Sequence, residues 1–151
     1  MNVEQKVASD SDMVKLGEKL SNAINTVQIV FLKGDLGAGK TTLVRGILRG
    51  LGYHDSVKSP TFSLHEQYVF GGLTVHHFDL YRLQEPEELE YLGFRDLLRP
   101  GNVFLIEWPE RAQAILPDPD IEIIITKETT GRRVNFIANP KTGHALVDSL
   151  Q

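Results

Sequence analysis

The 151-residue sequence contains no cysteine, which excludes disulfides and cysteine-based zinc sites. Long hydrophobic runs are missing too. No stretch approaches the roughly 20 apolar residues of a membrane helix, and the first residues lack the pattern of a secretory leader. There is also no basic surplus. Lys and Arg number 16 against 20 Asp and Glu, a net charge of −4, whereas a domain that grips nucleic acid by itself carries a basic excess or stripe. Any RNA or DNA involved is therefore expected to be held by another subunit. Repeats, low-complexity tracts and linkers are absent, and the length suits one domain over residues 1–151 with a sizeable core. These absences set the expectation of a cytoplasmic protein without membrane contact.

What the sequence does contain is Gly34-Asp35-Leu36-Gly37-Ala38-Gly39-Lys40-Thr41-Thr42, which fits the spacing G-x-x-x-x-G-K-[ST]. Gln28-Ile29-Val30-Phe31-Leu32 precedes it and reads as a buried strand. Leu43, Val44, Ile47, Leu48 and Leu51 follow at spacings that lay one apolar stripe along a helix. Strand, glycine loop and helix are the context in which such a loop binds phosphate. The glycines let backbone N–H groups turn inward, and the helix start adds its positive dipole end. Lys40 supplies a point charge for the β- and γ-phosphates, and the Thr41 hydroxyl is placed to hold Mg²⁺.

Around this motif the pattern predicts a mixed α/β sheet. Residues 1–8 read as a short edge strand, and Ser9 or Asp10 as the cap of a helix running to about residue 23. Gly46 and Gly50 lie inside the helix after the loop, where each costs roughly 1 kcal/mol relative to Ala. Residues 62–70 and 73–79 flank Gly71-Gly72, a hairpin signal, and residues 121–126 and 133–138 flank a second one. Residues 85–92 read as a short acidic helix with Pro86 in its first turn. Val103-Phe104-Leu105-Ile106 reads as a fully buried strand ending in Glu107. The fold expected is thus P-loop NTPase-like, with parallel core strands at the loop, antiparallel hairpins and flanking helices.

Two acids compete for the metal side of the site. Glu107 follows the wholly apolar strand and takes the Walker B position, where ligands gather in open α/β sheets. Asp79 ends a strand that is only half apolar and is expected to be partly exposed. Glu107 is therefore favoured as the metal-side acid. Asp79 is left to contact Mg²⁺ through water, to position the attacking water, or to form a salt bridge with Arg82. Thr61, in the rigid Ser59-Pro60-Thr61 segment, is either a γ-phosphate or Mg²⁺ sensor or part of a turn that feeds a strand. The adjacent His76 and His77 point to opposite faces of a strand, make a poor metal pair and read as structural. No N-K-x-D segment supports guanine specificity. Arg82, Arg111, Arg132 and Arg133 are the candidates for an arginine finger.

In order along the chain come the 34–42 loop, Ser59-Pro60-Thr61-Phe62, His77-Phe78-Asp79-Leu80-Tyr81-Arg82 and Glu107-Trp108-Pro109. Together they closely resemble the TsaE (YjeE) family of small bacterial ATPases. The resemblance implies a role in making N6-threonylcarbamoyladenosine in tRNAs that read ANN codons. It also implies ATP and Mg²⁺ as cofactors, and TsaB and TsaD as partners. TsaD would carry out the transfer onto tRNA, and ATP hydrolysis by this subunit would reset the complex, so that tRNA is met only through the complex. Carried over by motif, Gly37, Ala38, Gly39, Lys40, Thr41 and Thr42 hold the phosphates, and Thr41 and Glu107 hold Mg²⁺. Thr61 and Asp79 belong to switch-like and Walker-type elements with Lys40 in catalysis, and Asp10 and Arg132 flank the nucleoside. Two other readings remain: a small-molecule kinase using the same loop, and a nucleotide-gated binding module with little turnover.

Overall fold

The apolar run before the glycine loop forms strand β2 (Ile29–Lys33) at the centre of a seven-stranded sheet. The computed structural model describes residues 1–151. In chain order the other elements are β1 (Asn2–Val7), α1 (Asp10–Ser21), α2 (Lys40–Gly50), β3 (His65–Phe70), β4 (Leu73–Asp79), α3 (Glu88–Tyr91), β5 (Asn102–Glu107), β6 (Ile121–Lys127), β7 (Arg132–Ala138) and α4 (His144–Asp148), with short 3-10 turns between some of them. The strand order is β1-β7-β6-β2-β5-β4-β3. Strands β6, β2, β5 and β4 run parallel, while β3, β7 and β1 are each antiparallel to their neighbours. The two predicted hairpins are β3–β4 and β6–β7, and the predicted edge strand is β1.

Alternation along β2 divides the core. Val30 and Leu32 join a cluster of 26 buried residues on the face covered by α1 and α2, whereas Ile29 and Phe31 join ten on the other face. The helix face therefore carries most of the packing. Each fully buried Leu or Ile of α2, such as Leu43, Ile47 or Leu48, contributes about 1.5–3 kcal/mol of transfer free energy. Packing also explains the helix glycines. A Cβ on Gly46 would press into the Val14 carbonyl oxygen and lie 2.9 Å from Val14 C and Cα. One on Gly17 would lie 2.7 Å from Gly46 Cα, and one on Gly50 2.7 Å from Ser21 Cβ. Without side chains at these positions the backbones of α1 and α2 approach directly.

The helix ends follow local chemistry. Ser9 caps α1, its Oγ accepting from Asp12 N at 3.2 Å, so Asp10 is the first helical residue. After α2, Gly52 N donates to Arg49 O at 3.0 Å and Tyr53 N to Leu48 O at 2.9 Å. This is the closing pair of a Schellman motif, with Gly52 at a positive φ of 106°. The acidic helix is shorter than its sequence pattern suggests, one turn from Glu88 to Tyr91 closed by Gly93.

Candidate nucleotide-binding site

The carboxyl ends of β2, β4 and β5 open onto a cavity of about 600 Å³. Asp10, Gly37, Gly39, Lys40, Thr41, Thr42, Thr61, Asp79, Glu107 and Arg132 all line it. The phosphate, metal, catalytic and nucleoside candidates are thus gathered in one place except Ala38, which is buried. Of the arginine-finger candidates Arg82 and Arg132 line the cavity, whereas Arg111 and Arg133 do not. Asp10 arrives from the start of α1 and Arg132 from the start of β7, at opposite ends of the chain.

The loop itself takes a shape that requires glycine. Gly39, the residue before α2, has φ of 117°, and a Cβ there would come within 3.1 Å of Met13 Cε. Arg132 braces the loop from outside, its Nε donating to Ala38 O at 3.0 Å. Lys40 is almost wholly buried. Its Nζ donates to Gly34 O and sits 3.8 Å from the centroid of the Trp108 ring. Desolvation holds its pKa below the usual lysine range, although the carboxylates of Glu107, Asp79, Glu110 and Asp35 all act to raise it.

Asp79 and Glu107 are register partners on β4 and β5. The expectation of a partly exposed Asp79 is corrected. It is 4 % exposed and Glu107 3 %, because the 59–61 segment folds onto its carboxylate. Burial therefore does not discriminate between the two acids; their partners do. Glu107 Oε2 accepts from Thr41 Oγ1 at 3.1 Å. Asp79 Oδ2 accepts from Ser59 Oγ at 2.6 Å and Thr61 Oγ1 at 3.1 Å, and its Oδ1 accepts from Tyr81 N at 3.0 Å. Asp79 is thus engaged by the 59–61 segment rather than by Arg82, whose guanidinium lies 4.5 Å from the Phe62 ring centroid.

The arrangement fits Mg²⁺ in the manner of a phosphate-bound ion. Magnesium takes hard oxygen donors and, beside nucleotide phosphates, needs only one or two from the protein. Thr41 and Glu107 offer a hydroxyl and a carboxylate in mutual hydrogen-bond contact. No group of three or more His, Asp or Glu side chains is poised to hold an ion without a nucleotide.

Sequence reasoning passed over Ser59, His77, Tyr81 and Trp108 as site residues. Two of them carried a signal. Ser59 is two residues before Thr61 in chain kept extended by Pro60, and His77 is two residues before Asp79 on a strand, so each shares a face with a residue already chosen. His76 is structural, on the opposite face, stacked with His65 and Phe104 at 5.1 Å between centroids. His77 instead places Nε2 2.6 Å from Glu107 Oε2.

A lysine-bearing glycine loop between a central parallel strand and a helix, facing acids at the ends of the next two parallel strands, makes this a P-loop protein. Comparison with known proteins then gives the family. A model described as "Threonylcarbamoyl adenosine biosynthesis protein TsaE" matches residues 7–134, and the chain belongs to the TsaE family. A Haemophilus influenzae protein described as "tRNA threonylcarbamoyladenosine biosynthesis protein TsaE" is 40 % identical, with 98 % of this chain and 97 % of that protein aligned. A Nostoc protein of the same description is 36 % identical over 84 % of this chain and 80 % of its own length. The solved structure described as "Crystal structure of Bacillus subtilus YdiB" superposes with a TM-score of 0.77, covering 99 % of this chain and 94 % of that one. At 24 % identity it bears on the fold alone. The resemblance drawn from the motifs and the mixed-sheet P-loop fold are both confirmed. No helix is long and apolar enough to cross a membrane.

Proposed function

We propose that this chain is an Mg²⁺-dependent ATPase that powers the threonylcarbamoyladenosine modification of tRNA, working with TsaB- and TsaD-type proteins and resetting their complex by hydrolysis. The observation that carries the reading is the convergence of Lys40, Thr41, Asp79 and Glu107, from three separate elements, on one cavity. Family membership supports the tRNA role, and the acidic balance of the chain, −4 overall, supports a partner holding the RNA.

In this reading the N–H groups of residues 37–42 and the start of α2 receive the phosphates, and Lys40 leaves Gly34 O to meet the β- and γ-oxygens. Thr41 and Glu107 hold Mg²⁺, which when bound neutralises charge on the β- and γ-phosphates. Asp79, held by Ser59 and Thr61, orients the attacking water in line. Arg132 and Asp10 flank the nucleoside. Water exclusion is incomplete in an open cavity, so the isolated chain is expected to turn over slowly and to speed up in the complex.

The test is ATP hydrolysis by the purified chain, alone and with a TsaB–TsaD pair. A rise on adding the pair, reduced about 10²-fold or more by Lys40→Ala, supports the reading; an unchanged rate with ATP binding intact refutes energy coupling. A second reading draws on Lys40 folded back on Gly34 O under Trp108: a nucleotide-gated module with little turnover. It predicts nucleotide-dependent partner binding with no hydrolysis for Lys40→Ala to remove.

A further inference from the structure

Behind Glu107 lies a buried histidine that this reaction leaves unused. His77 is 0 % exposed, and its place two residues before Asp79 on β4 turns it to the α2 face. Nε2 lies 2.6 Å from Glu107 Oε2, the same oxygen that accepts from Thr41 Oγ1. The other ring nitrogen, Nδ1, has no hydrogen-bond partner. Its contact with Glu107 is therefore the ring's sole polar tie. His76, on the opposite face, has its tie to His65 across 2.9 Å instead, away from the cavity.

The tautomer follows from the partners. A carboxylate oxygen accepts, so Nε2 carries the hydrogen and donates. In the neutral ring Nδ1 is then the acceptor, and an orphaned buried acceptor is better tolerated than an orphaned N–H. Glu107 Oε2 is thereby held by two donors, one from β4 and one from α2. A glutamate side chain has three rotatable bonds to settle, and Thr41 alone leaves the carboxylate free to swing with that hydroxyl. Two donors on one oxygen fix the plane of the group and leave Oε1 without a protein donor.

We infer that His77 is a positioning residue that orients the Glu107 carboxylate toward the ion and water beside Thr41. The inference rests on the reading of this cavity as an Mg²⁺–nucleotide site. Such outer partners of a metal-side carboxylate typically change metal affinity or activity by 10- to 100-fold when removed.

The experiment measures affinity of the purified chain for a non-hydrolysable ATP analogue by calorimetry, once with Mg²⁺ and once with EDTA. His77→Leu is expected to weaken binding about 10- to 100-fold in Mg²⁺ and to leave it unchanged in EDTA. His77→Gln, whose amide nitrogen falls near the position of Nε2, should recover most of the loss; His77→Asn, one carbon shorter, should not. Where the leucine variant fails to fold by thermal unfolding, the Gln and Asn pair carries the same comparison. Equal losses in Mg²⁺ and EDTA, or no difference between Gln and Asn, overturn the inference. A wild-type chain whose nucleotide binding ignores Mg²⁺ overturns the reading of the site as well.

Discussion

Replacing Gly46 with alanine reverses what helix propensity alone would give. In an exposed helix interior the change stabilises by roughly 1 kcal/mol. In α2 the added methyl points at the backbone of α1, pressing on the Val14 carbonyl and lying 2.9 Å from Val14 C and Cα. No rotamer relieves a clash with backbone, so the two helices must separate. Overpacking of this kind costs about 1–3 kcal/mol, and a backbone neighbour places Gly46→Ala at the upper end. The net is a loss of about 2 kcal/mol once the propensity gain is set against it. For a domain of this size that lowers Tm by roughly 4–8 °C. Because α2 begins at Lys40, the same displacement moves Thr41 away from Glu107. Urea unfolding followed by circular dichroism, with the slope m compared between variants, separates stability from changes in compactness. A midpoint at or above wild type would refute the claim that close backbone approach selects glycine here.

Asp79→Asn retains the side-chain volume but removes the carboxylate that Ser59 and Thr61 donate to. Steady-state kinetics in the complex should show kcat reduced about 10²-fold with KM little changed. A change confined to KM would place Asp79 in nucleotide binding instead. On the far face, burial and then the neighbouring His76 and His77 push His65 down to about 4 from an ordinary 6.5. The unfolded chain thus binds the proton more readily. The stabilising contribution is full above pH 6.5 and is lost as the pH falls from 6.5 through about 4. The ring is only half buried, so solvent screening reduces the effect to roughly 1–2 kcal/mol. Denaturation midpoints of wild type and His65→Gln across pH 4–7.5 should converge toward the acid end; parallel curves would refute the assignment.

Much of the scaffold was legible because its signals are local. The 34–42 loop, the apolar run before it and the stripe after it are each contained within about ten residues, and the physics of glycine, dipole and amphipathicity acts at that range. The turns at Gly71-Gly72 and at residues 128–131 announced their hairpins in the same way. The strand order was less accessible, since β6 and β2, which pair in register from Val30 and Ile121, lie some ninety residues apart in the chain. The exposure of Asp79 was misjudged for a related reason. The half-polar strand that carries it looked like a surface strand, but Ser59 and Thr61, 20 and 18 positions away, close over its carboxylate.

By itself, then, the sequence determined that a phosphate loop sits between a strand and a helix, that acids end two strands, and that the combination of motifs belongs to one family. It did so because covalent neighbours dictate backbone shape and face. Only the tertiary structure decided that Arg132 braces Ala38 from 94 positions away, and that Gly17, Gly46 and Gly50 are contact points between helices. It alone decided that His77 and Thr41 grip the same oxygen of Glu107. Each of these depends on the packing of the helices on the sheet and on the order of its strands, which no window of adjacent residues contains.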